Sequence, residues 1–165
     1  MAVSSDKITD TMGIRLKKDA FVVIIKTEWN AVVVDALEEG CKNVLQENNI
    51  SFTVLEVPGA FEIPFAVKSF NDNSVGNAPD AFIALGCIIR GETPHFEFIS
   101  QGVTQGIMQL NITLGVPVIF GVLTVNDQMQ ADERIGGRHG HKGKEAAVAA
   151  IKMIALSQSF KVQRK

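Results

Sequence analysis

Four short apolar runs alternate with helical patterns along the chain, and this alternation constrains the fold more than any other feature. The runs are nearly continuous and rich in β-branched or aromatic residues, which is typical of strands buried on both faces of a parallel sheet. They are FVVII (21–25), FTVLEV (52–57), AFIALGCII (81–89) and VPVIFGVL (116–123). Apolar residues at helical spacing predict helices over 31–48, 60–70, 94–112 and 143–157, with a short helical turn at 127–134.

This order of elements predicts an α/β protein with right-handed crossovers. The expected architecture is a three-layer αβα sandwich, in which helices cover both faces of a central four-stranded parallel sheet. A chain of 165 residues suits one domain. We expect this domain to cover residues 19–157, between an extended or loose N-terminal segment (1–18) and a C-terminal tail (158–165).

The composition narrows the classes of function. Hydrophobic residues make up 46% of the chain and charged residues 21%, as in globular proteins, and the formal net charge of −2 favours neither nucleic acid nor a membrane surface as a partner. The N-terminus lacks the apolar stretch of a signal peptide, and no apolar run reaches the roughly 20 residues that span a bilayer. Cys41 and Cys87 form no CxxC pair, which indicates free thiols. We therefore expect a cytoplasmic protein.

The ends of the predicted strands locate the candidate site. Ligands of open α/β sheets bind at the carboxyl ends of the strands. The loops that follow the four strands are therefore expected to converge, and they cover residues 26–30, 58–62, 90–95 and 124–127. None of these loops shows the ligand spacing of a metal site, so we expect no bound metal.

The third of these loops, residues 90–95, combines a guanidinium, a hydroxyl and an imidazole. Thr93 suits a helix N-cap and Pro94 the first helical position, so that free N–H groups and the helix dipole would face an anion. His95 would then lie beside the anion and could move protons near neutral pH. A capped helix with a surface histidine is the alternative that this stretch alone leaves open.

Three further features suggest ligand binding. The segment DERIGGRHGHKGKE (132–145) gathers cations around glycines and could hold a phosphate, although it is not a Walker loop; a solvated basic loop is the alternative. The turn at 57–62 would let a ligand approach the backbone at Gly59, with Glu62 accepting hydroxyl hydrogen bonds, unless it is an ordinary β-to-α turn. Trp29 could stack on a planar heterocycle or anchor the core.

Five motifs, in this order and spacing, together resemble the lumazine synthase family over roughly residues 20–157. They are EWN (28–30), VPGAFEIP (57–64), GCIIRGETPHFEFI (86–99), GVPVIFGVLT (115–124) and ERIGGRHGHKGKEAA (133–147). The resemblance implies a flavodoxin-like fold and a transferase of riboflavin biosynthesis. Such an enzyme condenses 5-amino-6-ribitylamino-uracil with 3,4-dihydroxy-2-butanone 4-phosphate, releases phosphate and water, and needs no cofactor.

The resemblance also implies a role for each residue of the matching motifs. His95 would be catalytic. The pyrimidine and ribityl chain would be bound by Trp29, Asn30, Gly59, Ala60, Phe61, Glu62, Gly86, Cys87, Ile88, Ile89, Phe120, Lys142 and Glu145. The phosphate of the second substrate would be bound by Gly91, Glu92, Thr93 and Arg134.

The family's assembly is the last implication. The resemblance implies a homopentamer whose active site lies between subunits, with Phe120, Arg134 and Lys142 reaching the site of a neighbour. A 60-subunit shell is favoured by the short 134–142 loop, and riboflavin synthase is a candidate partner. The chain departs from the family in Trp29, where many members have phenylalanine, and in HGHKG (139–143), where AGNKG is usual.

Two other functions compete with the enzyme. A non-catalytic flavin- or lumazine-binding protein of the same fold would keep Trp29 but would not need His95 and Arg134, and both are present. A response-regulator-like domain would require acidic residues at the strand ends, where this chain has Lys26, Gly86 and Thr124. We therefore expect the enzyme.

Overall fold

A four-stranded parallel sheet forms the centre of the molecule. The computed structural model describes residues 10–16 and 18–162, with side chains through Phe160. The strands are β1 (Phe21–Thr27), β2 (Ser51–Val57), β3 (Ala81–Ile89) and β4 (Val118–Val125). They are ordered β2-β1-β3-β4 and every neighbouring pair is parallel, which confirms the predicted sheet.

Helices cover both faces of this sheet. They are α1 (Ala31–Glu47), α2 (Ile63–Asn73), α3 (His95–Thr113), α4 (Gln128–Asp132) and α5 (Lys142–Val162), and a short 3-10 turn (Ala60–Glu62) precedes α2. The apolar sides of α1 and α5 pack on one face of the sheet, and those of α2 and α3 pack on the other. The three-layer αβα sandwich is therefore confirmed.

The sheet is buried on both faces because its strands carry apolar side chains at nearly every position. In β1, Val22 and Ile24 belong to the core under α1 and α5, whereas Val23 and Ile25 belong to the core under α2 and α3. This alternation follows from the two-residue period of a strand. It explains why the predicted strands appeared as continuous apolar runs rather than as alternating patterns.

The order of the strands reverses direction at β1. The chain moves from β1 to β2 on one side of it and then crosses back to place β3 on the other side. The loop after β1 leads to α1 on one face, and the loop after β3 leads to α3 on the opposite face. Because these two loops diverge, a crevice opens at the carboxyl ends of β1 and β3.

Several element boundaries and one hairpin differ from the prediction. The fourth strand begins at Val118 rather than residue 116. Pro117 has no N–H to donate, although its carbonyl accepts from Phe82 N. A small antiparallel hairpin, β5 (Ile135–Gly137) with β6 (Gly140–His141), follows α4 and was not predicted. The hairpin is rich in glycine and charged residues, so its sequence shows no strand pattern. Gly136 and Gly140 adopt positive φ angles of 124° and 79°.

The two ends of the chain are more ordered than expected where they are described. Ile14 and Leu16 pack against the core under α1 and α5, and the Lys18 ammonium lies 2.7 Å from the Asp80 carboxylate. At the other end α5 continues to Val162, beyond the predicted end at residue 157. The predicted loose positions 1–9, 17 and 163–165 lie outside the described residues, so the predicted domain limits stay a prediction.

Within residues 10–16 and 18–162, no helix is both long enough and apolar enough to cross a membrane.

The core makes a direct prediction about stability. Ile83 lies in the middle of β3 and is fully buried. We expect Ile83→Ala to lower the free energy of unfolding by about 2–5 kcal/mol, because it removes buried methyl groups and leaves a cavity. Urea unfolding at fixed protein concentration measures this change. Val75→Ala is the control, because Val75 is 96% exposed and its truncation is expected to change stability by less than about 0.5 kcal/mol. Equal effects of the two substitutions would contradict the described core.

Candidate active site

A cavity of about 480 Å³ opens in the crevice between the ends of β1 and β3. It brings together the loops that follow the first three strands. Its lining comprises Thr27, Trp29, Asn30, Gly59, Ala60, Phe61, Glu62, Cys87, Ile88, Ile89, His95 and Ile99. Ten of the predicted site residues therefore lie around one cavity, which we call the crevice site.

Asn30 connects the two sides of the crevice. It has left-handed backbone angles (φ 58°, ψ 43°), a conformation that asparagine tolerates better than most residues. Its carbonyl accepts from the N–H groups of Val33 and Val34 at the start of α1. Its side-chain amide donates to the Cys87 carbonyl at 2.7 Å. The loop after β1 is thereby fixed to the end of β3.

The rim of the crevice presents an aromatic ring beside a carboxylate. Trp29 is 74% exposed, which rules out the alternative of a core anchor. A Cβ at Gly59 would lie 3.0 Å from Glu62 Oε2 and 3.6 Å from Trp29 Cδ1. The absence of a side chain at Gly59 therefore leaves room for the Trp29 ring and the Glu62 carboxylate. This arrangement offers a planar apolar surface and a hydrogen-bond acceptor to a ligand.

The end of β3 forms an unreactive wall. Burial, with a smaller contribution from the Asp132 carboxylate, raises the pKa of the Cys87 thiol to about 11. The thiol is thus protonated at neutral pH and is a poor nucleophile. Gly86 lies behind the cavity, where a Cβ would meet the Thr27 Cγ2 at 3.3 Å. Neither residue is placed for covalent chemistry.

His95 is the first residue of α3 and lines the crevice site. The predicted helix start is off by one residue, because Pro94 occupies the N-cap position and no side-chain hydrogen bond caps the helix. The Pro94 carbonyl accepts from the N–H groups of Glu97 and Phe98. Thr93 precedes this cap and is exposed. His95 is exposed, but it lines the cavity from the first position of a helix and so is not a surface group unrelated to the site.

Arg90 holds the exposed loop that leads to His95. Its guanidinium pairs with the Glu97 carboxylate, donates from Nε to Asn126 Oδ1 at 3.1 Å, and lies 4.2 Å from the centre of the Phe96 ring. The Arg90 ion pair holds the pKa of the Glu97 carboxyl below its usual value. Gly91 has open space around it. The backbone of this loop is thus supported at its start and accessible in its middle.

A second cavity, of about 550 Å³, lies between the end of β4 and the β5–β6 hairpin. We call it the hairpin site. Two of the predicted site residues, Arg134 and Lys142, line it. The other residues around it are Val122, Leu123, Thr124, Val125, Met129, Gln130, Glu133, Arg138 and His139.

Arg134 is held at the edge of the hairpin site by three partners. Its guanidinium donates to the His139 carbonyl, and its Nη2 lies 3.0 Å and 3.3 Å from the two carboxylate oxygens of Glu145. Its own carbonyl accepts from Lys142 N at 2.8 Å. The Lys142 ammonium is 3.7 Å from Glu145 Oε2. The two cations therefore share one carboxylate, which leaves an excess of positive charge that suits an anion.

Several predicted site residues line neither cavity. Gly91, Glu92 and Thr93 lie in the exposed loop before α3, and Glu145 reaches the hairpin site only through Arg134 and Lys142. Phe120 is half-buried in β4, where it pairs with Ala84. A single chain thus carries two separate groups of candidate residues, one in the crevice and one beside the hairpin.

Sequence reasoning missed some of the lining. Thr27 is buried, lines the crevice site, and its hydroxyl donates to the Trp29 carbonyl at 3.3 Å. It was overlooked because Lys26 and Thr27 look like loop residues after the apolar run, although β1 includes both. Ile99, one turn into α3, also lines the cavity. Helical spacing from His95 could have revealed it.

No group of three or more His, Cys, Asp or Glu side chains that could hold a metal ion is found in the part of the chain that the structure describes.

Comparison with known proteins identifies the family. The sequence model of 6,7-dimethyl-8-ribityllumazine synthase matches residues 19–158. The 6,7-dimethyl-8-ribityllumazine synthase of Porphyromonas gingivalis is 47% identical over 144 residues, which cover 86% of this chain and 88% of the relative. The synthase of Streptomyces avermitilis is 42% identical over 158 residues, covering 94% and 96%. The synthase of Parabacteroides distasonis is 44% identical over 137 residues, covering 81% and 84%. The chain therefore belongs to the 6,7-dimethyl-8-ribityllumazine synthase family.

Proposed function

We propose that the protein is a transferase that condenses 5-amino-6-ribitylamino-uracil with 3,4-dihydroxy-2-butanone 4-phosphate to form 6,7-dimethyl-8-ribityllumazine, phosphate and water. Membership of the family supports the reaction. The observation that carries the proposal is the crevice site, where Trp29, Asn30, Glu62 and His95 line one cavity. A non-catalytic carrier has no corresponding support among the relatives, whose names are those of the enzyme.

The crevice site would hold the ribitylamino-uracil. Trp29 would stack on the pyrimidine, and the strand backbone at residues 86–89 would bind the edge of the ring. Asn30 and the turn Gly59, Ala60, Phe61 and Glu62 would bind the ribityl chain, because an amide, a carboxylate and backbone groups suit hydroxyls. The open rim beside Trp29 supports this orientation.

The loop before α3 would hold the phosphate of the second substrate. Backbone N–H groups at Gly91, Glu92 and Thr93 and the Thr93 hydroxyl would donate to the phosphate oxygens, and the positive end of the α3 dipole would favour the charge. The Glu92 side chain is exposed and would point away from the anion. Arg134 would add a bidentate contact.

His95 would move protons between the two substrates. In the proposed sequence the uracil amine attacks the ketone, water leaves to give an imine, phosphate is eliminated, and the second nitrogen closes the ring with loss of a second water. His95 lines the crevice site and directly follows the loop that would bind the phosphate, and this position supports the role. Since the protein also holds two reactants together, positioning is expected to supply much of the rate, on the order of several kcal/mol.

A complete site would need two subunits. The crevice site and the hairpin site are separate in one chain, and Phe120 lines neither. We propose a homopentamer in which Phe120, Arg134, Lys142 and Glu145 complete the crevice site of a neighbour. The 60-subunit shell, association with riboflavin synthase and a cytoplasmic location stay predictions.

The first experiment mixes purified protein with both substrates and follows the lumazine chromophore against the slow uncatalysed reaction. Acceleration with release of inorganic phosphate is expected. Tight lumazine binding without acceleration would contradict the enzyme and favour a carrier.

His95→Gln is expected to lower kcat about 10²- to 10⁴-fold without abolishing turnover, because proton transfer is lost but positioning remains. Steady-state kinetics with both substrates measure the change. Glu47→Gln is the control, since Glu47 is exposed at the end of α1 and lines neither cavity. An unchanged kcat in the His95 variant would remove His95 from the mechanism.

Arg134→Ala is expected to raise KM for the butanone phosphate at least about tenfold, with a much smaller change for the uracil, because a charge-assisted bidentate contact is lost. Arg134→Lys keeps the positive charge but not the paired donors. Its KM for the butanone phosphate should fall between those of the wild type and Arg134→Ala. Initial rates at varied concentrations of each substrate measure both KM values. Equal losses of affinity for both substrates would contradict the phosphate assignment.

Mixed assemblies test whether the site is shared between subunits. His95→Ala and Arg134→Ala chains are unfolded together, refolded and assayed against each variant refolded alone. If His95 and Arg134 of one site come from different chains, about a quarter of the sites in random mixtures regain both residues. If both residues of a site come from one chain, no intact site forms. Activity equal to the average of the separate variants would therefore exclude the shared site.

A further inference from the structure

His141 belongs to the unusual HGH segment, and the proposed chemistry does not use it. It ends the β5–β6 hairpin, pairs with Ile135 and immediately precedes α5. Its ring lies against Gly40 of α1: a Cβ built on Gly40 would be 2.2 Å from His141 Cε1 and 2.6 Å from Nε2. The imidazole thus occupies space that a side chain at position 40 would fill. His141 therefore packs the hairpin against α1. We call this packing of the His141 ring on Gly40 the seat.

The same ring also meets the start of α5. Lys144 N lies 3.5 Å from His141 Nδ1, a long contact in the position of an N-cap interaction. A ring nitrogen accepts a hydrogen bond only when it carries no proton. The neutral ring with its proton on Nε2 is therefore the form that suits this contact.

The partners of Arg134 lie on both sides of His141 in the chain. The His139 carbonyl precedes it, and the Lys142 N–H and the Glu145 carboxylate follow it. A shift of the hairpin at His141 would therefore disturb the three contacts that hold Arg134, two at its guanidinium and one at its carbonyl.

The surroundings of His141 disfavour its charged form. The charged groups that face it are Glu39 from α1 and Lys144 and Glu145 from α5. Burial first, and then Lys144, lower its pKa below the ordinary 6.5, while Glu145 and Glu39 act in the opposite direction. The His141 ring packed on Gly40 binds a proton less readily than a free imidazole. The seat is therefore fully stable above pH 6.5 and weakens as the pH falls below that value.

We propose that His141 is a positioning residue for Arg134: its neutral imidazole seats the hairpin on Gly40 and caps α5, and protonation of the ring loosens the hairpin and weakens binding of the phosphate substrate. The identity of that substrate rests on the proposed function. The seat itself rests on the contacts of His141 with Gly40 and Lys144.

His141→Asn isolates the effect of protonation, because asparagine keeps an N-cap acceptor and does not titrate. KM for each substrate is measured from pH 7.5 to pH 5.5 in the wild type and the variant. Between these pH values the wild-type KM for the butanone phosphate is expected to rise about three- to tenfold more than that of the variant. Every other titrating group, including the substrate phosphate, is common to both proteins, so its effect cancels in the ratio. Glu47→Gln, at an exposed position that lines neither cavity, is expected to keep the wild-type pH dependence.

Gly40→Ala tests the seat from the other side. Its methyl group would displace the His141 ring, although alanine is the better helix former and should not weaken α1 by itself. We expect this variant to show the raised KM for the phosphate substrate already at pH 7.5. Adding His141→Asn, with its shorter side chain, is expected to restore part of the affinity. A Gly40→Ala enzyme with normal KM would overturn the proposed seat.

Two measurements separate this proposal from the proposed function. Amide hydrogen exchange over residues 135–144, corrected for intrinsic rates, should speed up at pH 5.5 in the wild type but not in His141→Asn. Calorimetry with inorganic phosphate at pH 7.5 and pH 5.5 should show that the wild type loses affinity for phosphate at the lower pH. His141→Asn should not show this loss. Equal exchange in both proteins would overturn the seat, and a loosened hairpin with unchanged phosphate affinity and KM would overturn the positioning role. If the wild type fails to accelerate the reaction, the proposed function fails while exchange and phosphate affinity still decide this inference.

Discussion

The reversal of strand order at β1 is the constraint on which the crevice site depends. A strand flanked by β2 and β3 sends its outgoing loop to α1 on one face, while β3 sends its loop to α3 on the other. The two loops cannot cover the ends of their own strands, so a gap forms that side chains from both must line. The hydrogen bond from Asn30 to the Cys87 carbonyl spans this gap at 2.7 Å and sets its width. The cavity is therefore a consequence of topology, and the loop residues give it its chemistry.

This origin explains how much of the site could be predicted from the sequence. Apolar runs of two-sided strands are distinctive, so the sheet and the loops that converge at Trp29, Gly59 and His95 followed directly from pattern. The β5–β6 hairpin could not be predicted, since three of its five strand residues are glycines and one is histidine. Its pairing depends on glycine backbone angles and on contact with α1, neither of which has a local sequence signal. Thr27 was missed for a related reason: burial of a polar residue is decided by neighbours distant in the chain.

The two sites also differ in how they are supported. The residues of the crevice site lie at the ends of buried strands, in the short loops that follow them, or in the first turns of helices, so strands and helices hold them in place. Arg134 instead depends on a short hairpin, so its orientation rests on a few polar contacts and on the packing of His141 against Gly40. If the two groups form one site, as we propose, the part held by the hairpin would be the more sensitive to pH and to neighbouring subunits.

The pairing of Arg134 with Glu145 fits binding and release of an anion better than permanent binding. The carboxylate keeps the guanidinium oriented with both oxygens within 3.3 Å, so little side-chain freedom would be lost when a phosphate arrives. It also competes with that phosphate for the same donors, which lowers affinity. For a reaction that eliminates phosphate, this competition is useful because the product ion must leave before the next substrate binds. Lys142, 3.7 Å from Glu145, would provide a second partner for the carboxylate if Arg134 turned to the anion, as we propose. Glu145 would then keep one cationic partner while Arg134 binds the anion, so its charge would not be left unpaired.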